Sequence, residues 1–65
     1  MLITAISNQD GDLIEAFELP QCPAKGQIVS LQAIPYVVKR VWWEPDGSER
    51  NPEPHAVLEV KRLKE

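Results

Sequence analysis

The run Pro35-Tyr36-Val37-Val38-Lys39-Arg40-Val41-Trp42-Trp43-Glu44-Pro45 constrains this chain more than any other stretch. It gathers both tryptophans, the one tyrosine and three valines between two prolines. β-branched and aromatic side chains fit a pleated, half-buried surface, so the run reads as a long strand. Its apolar positions change parity: Tyr36 and Val38 fall on one face, Val41 and Trp43 on the other, with Lys39-Arg40 at the change. A strand keeps one inward face across such a change only through a bulge or a sharp coil. Both are typical where a small sheet curls toward a barrel.

The remaining strands follow from turn chemistry. Leu2 to Ser7 is apolar and extended in pattern, and Asn8-Gln9-Asp10-Gly11 supplies the side chains and the glycine of a tight hairpin loop. Asp12 to Leu19 is then the return strand; its Leu, Glu and Ala content would also suit a short helix, but the run is short and the turn before it is specific. Both faces of this hairpin carry apolar residues, Leu2, Ile6 and Phe17 against Ile3, Ala5, Ile14 and Ala16. It is therefore either curled through a barrel or covered by another chain. Pro20 to Gly26 is a non-helical connection, since its prolines remove donors and fix φ. Gln27 to Gln32 alternates and should pair with Tyr36 to Glu44 through the short Ala33-Ile34 link. Pro45 to Pro54 is the longest loop, with little to bury. His55 to Leu63 is the last strand, with Lys61, Arg62 and Lys64 at an end where charge discourages edge pairing. The expected class is all-β: a small five-stranded antiparallel barrel or strongly bent sheet, in a single domain spanning 1–65.

Sixty-five residues bury only about 60% of their unfolded surface. Domains of this size often lean on a disulfide, a metal or a partner. One cysteine cannot form an internal disulfide, and one cysteine with one histidine cannot make a four-ligand zinc site. Self-association is thus a natural expectation. The net charge of −3 argues against a general nucleic-acid binder, though its distribution matters more than its sum. Asp10, Asp12, Glu15 and Glu18 crowd the first part, while the basic residues lie mid-chain and at the end. The apolar start has no basic flank and stops after seven residues, short of a signal core or a membrane span. With one unpaired cysteine, this suggests the cytoplasm and no membrane partner.

From Lys25 onward the chain resembles the SH3-like small barrels of short bacterial and phage proteins. The residues that carry this are Lys25-Gly26-Gln27-Ile28-Val29-Ser30-Leu31, Tyr36-Val37-Val38-Lys39-Arg40-Val41 and Val57-Leu58-Glu59-Val60. The pattern covers about 40 residues, has Gln27 where such domains often carry Asp, and leaves out the hairpin Leu2–Leu19. The resemblance implies a fold; barrels of this kind serve as nucleic-acid, peptide and assembly modules alike.

No run in the chain has the spacing of a catalytic, phosphate-binding or metal motif. Asn8 to Asp12 looks superficially like a calcium loop, but its first ligand position would be Ile6 and its closing glutamate position Phe17. His55 has no nucleophile or orienting group near it in sequence. Cys22 has no adjacent base to lower its pKa. The expectation is a non-enzymatic protein with no cofactor.

The tryptophans give the functional expectation. Neighbouring strand residues point to opposite faces, so a buried Trp43 would turn Trp42 outward beside Arg40 and Lys39. Exposed aromatics are enriched at interface hot spots. Trp42, Arg40 and Lys39, extended by Asp46, Glu49 and Arg50 of the long loop, then form a surface for a protein partner. Such a protein would regulate or inhibit a larger complex, as phage or bacterial accessory proteins do. Stacking of Arg40 on Trp42 would instead make that pair structural. Two alternatives stand beside this. One is a nucleic-acid module with Lys39, Arg40, Lys61, Arg62 and Lys64 on phosphates and Tyr36 or Trp42 stacked on a base. The other is a structural homo-oligomer joined through the two-faced N-terminal hairpin.

Overall fold

β1 (Leu2–Ser7) and β2 (Leu13–Glu18) form the expected N-terminal hairpin. The computed structural model describes residues 1–47 and 51–63. The hairpin loop is tied by the side chain of Asp10, whose Oδ1 accepts the Asp12 N–H at 2.9 Å, and Gly11 takes φ 74°. Pairing then steps from Ile6–Leu13 to Ala5–Glu15, which leaves Ile14 as a bulge. The segment after the turn is strand rather than helix because Leu13 to Glu18, the bulged Ile14 aside, finds partners along β1.

β3 (Ile28–Leu31) and β4 (Ile34–Glu44) make the second hairpin, and β5 (His55–Arg62) closes the set. The β3–β4 turn is tighter than the spacing suggests. Leu31 pairs with Ile34, so Gln32 and Ala33 alone make the turn, at φ 54° and 65°. Two central residues at positive φ define the type I′ geometry that suits strand twist, here without the usual Asn-Gly.

These five strands form one strongly curled mixed sheet, a half-barrel, in the order β2-β1-β5-β4-β3. Three pairings are antiparallel as expected; β1 and β5 run parallel. A parallel pair needs a long crossover, and here β2, β3 and β4 together supply it. β5 is consequently a central strand, and Lys61 and Arg62 do not guard a sheet edge. The sequence His55-Ala56-Val57-Leu58 is buried on both faces of β5.

Ile3, Ala5, Ala56, Leu58, Val60, Val38, Tyr36 and Leu31 share the concave face by register and form the core. Phe17, Ile14, Val29 and Ile34 pack around it, and Cys22 of the proline-rich connection covers part of it. The curl is drawn together at its mouth by one side chain. Gln32 Nε2, at the tip of the β3–β4 hairpin, donates to the Ile14 carbonyl at 3.1 Å. The bulge expected at Lys39-Arg40 is present: β4 shifts register against β5 between Val38 and Arg40. Gly47 completes the turn after β4 at φ 78°, where a Cβ would overlap the Pro52 carbonyl.

Candidate functional site

The bulge divides β4 into two unequal environments. Before it, β4 has a strand on each side: Ile34–Val37 pair with β3, Val38 N–H donates to the Gln27 carbonyl and Gly26 N–H to the Val38 carbonyl. Beyond it, Arg40–Glu44 pair with β5 alone. Among the described residues no strand lies on the outer side of this stretch. β3 has four residues and β4 eleven, so the second half of β4 is a sheet edge.

The register shows which backbone groups that edge presents. The Asn8 N–H donates to the Val60 carbonyl, so Val60 turns its backbone groups toward β1. Alternation along β5 sends those of Leu58 and Ala56 the same way, and those of Val57 and Glu59 toward β4. Leu58 faces Val41 and Ala56 faces Trp43 across the ladder, so Val41 and Trp43 direct their own N–H and C=O groups away from β5. These are the two residues of this stretch whose apolar side chains are most exposed, 39% for Val41 and 50% for Trp43. An unpaired backbone beside exposed apolar side chains is a template for strand addition.

The two tryptophans lie on opposite faces, as neighbouring strand residues must, and neither is fully buried. Trp43 is on the concave face, in the row Phe17–Ile3–Ala56–Trp43, but it projects beyond the part that β3 covers. Trp42 is on the outer face and half-buried. Its Nε1 donates to Glu44 Oε1 at 2.9 Å, and the Arg40 guanidinium stands 5.7 Å from its ring centroid. Arg40 in turn gives its Nε and Nη2 to Glu59 Oε2, at 3.1 and 2.6 Å. That bond and the Glu59 charge push the Arg40 pKa further up. Trp42 and Arg40 therefore form a structural ladder with Glu44 and Glu59, and Trp43 is the tryptophan that meets solvent.

Lys39 is exposed at the bulge and Asp46 is exposed in the turn after β4, so these two expected contact residues bracket the edge. Glu49, Arg50 and Lys64 lie outside the described residues. Among the described residues, the adjacent Lys61 and Arg62 do not share a face. Lys61 sits opposite Val37 on the outer face and Arg62 opposite Tyr36 on the inner one. Tyr36 and Arg62 line a cleft of about 350 Å³ at the mouth of the half-barrel, together with Asp10 and Asp12 of the first turn. Its charges are of both signs.

His55 is buried on the outer face, with Nδ1 2.7 Å from the Glu53 carbonyl. Cys22 is half-buried and its thiol pKa is pushed up by burial, which weakens it as a nucleophile. No group of three or more His, Cys, Asp or Glu among the described residues is placed to hold a metal ion. Against known protein families, curated proteins and solved structures, the chain has no significant match.

The open edge was missed in the sequence, although its signal was there. β3 is bounded by Gly26 and the Gln32-Ala33 turn, too short to accompany a strand running to Glu44.

Proposed function

We propose that this protein is a non-enzymatic interaction module that takes a partner strand onto the Arg40–Glu44 edge. The supporting observation is the coincidence at Val41 and Trp43 of outward backbone groups with exposed apolar side chains. Main-chain hydrogen bonds would supply the affinity, and the indole of Trp43 with the Val41 side chain would supply the apolar anchor. Lys39 and Asp46 at the two ends set orientation. The half-barrel is compatible with SH3-like small barrels, a build that displays strand edges and loops for such contacts. A nucleic-acid role has less support, because the adjacent Lys61 and Arg62 point to opposite faces.

Proline at position 41 tests the reading. The Val41 N–H points away from β5, so Val41→Pro removes an edge donor without removing a ladder bond. In retention assays on immobilised protein, with nuclease present, a partner should bind the native chain and be lost from Val41→Pro. Thermal melts should show both folded. Equal retention by the proline variant would sink the edge as the site.

A further inference from the structure

The open edge complements itself when reversed, with the base Arg40 at one end and the acid Glu44 at the other, and we infer from this that its occupant is a second copy of the chain, paired β4 to β4 about a two-fold axis. The inference rests on the edge reading above and adds the partner and the register. Two antiparallel edges join where the outward residues of one face the outward residues of the other, so Val41 and Trp43 must meet Val41 and Trp43. That leaves three symmetric registers.

With Val41 opposite the partner's Val41, Arg40 meets the partner's Trp42 and Trp43 meets the partner's Lys39. With Trp43 opposite the partner's Trp43, Val41 meets the partner's Pro45, which has no N–H to give. With Val41 opposite the partner's Trp43, every outward N–H and C=O of both residues is bonded, twice over by symmetry. This third register also sets Arg40 directly opposite the partner's Glu44, again twice. Trp42 meets the partner's Trp42 on the axis, at a non-hydrogen-bonded position where side chains approach most closely. Both charged groups have capacity left. Arg40 uses Nε and Nη2 on Glu59 and its side chain is 70% exposed, and Glu44 uses only Oε1.

The other occupants fit less well. A uniformly acidic peptide would suit Arg40 and oppose Glu44. The edge of β2 in another copy is bulged at Ile14, has that carbonyl occupied by Gln32, and carries Glu15 and Glu18. Self-pairing of β4 is the arrangement in which charge, hydrogen bonding and apolar contact agree.

Charge exchange across the axis makes this testable. Sedimentation equilibrium on the full chain, from micromolar to millimolar concentration, should show mass rising toward the dimer. Arg40→Glu places two acids opposite each other at both ends of the pairing, and Glu44→Arg places two bases there. Each should weaken association by roughly tenfold or more, since like charges directly opposite repel. In an equimolar mixture of the two variants, each mixed pair has an acid opposite a base at both ends, so heterodimers should form. The double variant should again pair with itself. Circular dichroism establishes that each variant is folded, and Val41→Pro should be monomeric throughout. Singles that dissociate without rescue on mixing, or dimers that survive Val41→Pro, would overturn the pairing. A native chain that is monomeric at every concentration would overturn it too. In that last case amide exchange separates the two readings. Fast exchange at Val41 and Trp43 leaves the edge open for another partner, whereas protection of both in the monomer removes the edge reading as well.

Discussion

Replacing each tryptophan by alanine should have unequal cost, and the inequality tests the placement of the whole second half of β4. Removing a fully buried tryptophan costs about 3–5 kcal/mol. Trp42 is only half-buried, which brings its share to roughly 2 kcal/mol. To this are added its hydrogen bond to Glu44 and its contact with Arg40, each worth about 0.5–1 kcal/mol at such exposure. The sum is about 3–4 kcal/mol. Trp43 is 50% exposed, has neither a hydrogen bond nor a stacked cation among the described residues, and leaves a notch open to water rather than a cavity. Its loss should cost about 1–1.5 kcal/mol.

For a chain this short a difference of about 1.5–3 kcal/mol separates the melting temperatures by roughly 6–24 °C, with Trp42→Ala the lower. The melts are run at concentrations where the chain is monomeric, so that pairing does not contribute. Single-tryptophan proteins give a second readout. In Trp43→Phe the remaining Trp42 should emit to the blue and resist acrylamide; in Trp42→Phe the remaining Trp43 should emit to the red and quench readily. Equal costs, or a larger cost at Trp43, would mean that β4 is slipped by one residue against β5 beyond the bulge. The edge inference would fall with it, because a slip also exchanges which backbone groups face outward.

Two further outcomes follow from local structure. Ala33→Gly should stabilise the protein by about 0.5–1 kcal/mol in urea titrations: relief of a positive φ is worth about 1–2 kcal/mol, partly offset by the greater freedom of glycine when unfolded. Cys22 should react more slowly with iodoacetamide in the folded chain than in urea. Its thiol pKa is raised on folding above the ordinary 9.0, so the folded state loses stability as pH rises past that value, and Cys22→Ala should show less of this loss than the native chain.

Much of the fold was legible because it is written locally. The Asn8–Gly11 turn, the parity break at Lys39-Arg40 and the division into five strands are all short-range signals, and each has its counterpart in the structure. The parallel β1–β5 pairing was not legible in the same way. Antiparallel neighbours joined by turns are the default for a chain of short strands, and nothing in Leu2–Ser7 specifies that its second neighbour comes from the far end of the chain. A hint lay in Ala56-Val57-Leu58, apolar on both parities, which is unusual for a strand with one wet face. The tryptophans show a different limit. Parity put the two tryptophans on opposite faces and left open which one faced outward. The β4–β5 register puts Trp43 on the concave face and Trp42 on the outer one, but a face is buried only where something covers it. Coverage depends on how far β3 extends along β4, and that length is set by the turn at Gln32-Ala33.

The two ends of this sheet are treated differently, and the difference bears on function. β2 is protected in several ways at once: a bulge at Ile14, acidic side chains at Glu15 and Glu18, and a carbonyl already bonded to Gln32. These are common means of keeping an edge from pairing with other chains. The second half of β4 has the bulge at its start with Lys39 beside it, and its charges, Arg40 and Glu44, are of opposite sign and complement a reversed copy rather than repel it. Between them come Val41 and Trp43, whose β-branched and aromatic side chains favour strand pairing. A longer β3 would have covered this edge. Instead the chain turns back at Gln32, uses that residue to fasten the mouth of the half-barrel, and leaves the rest of β4 uncovered. The same short strand thus fixes the curl and creates the vacancy. Lengthening β3 should therefore stabilise the monomer while removing its capacity to pair, a trade expected where an edge is retained for binding.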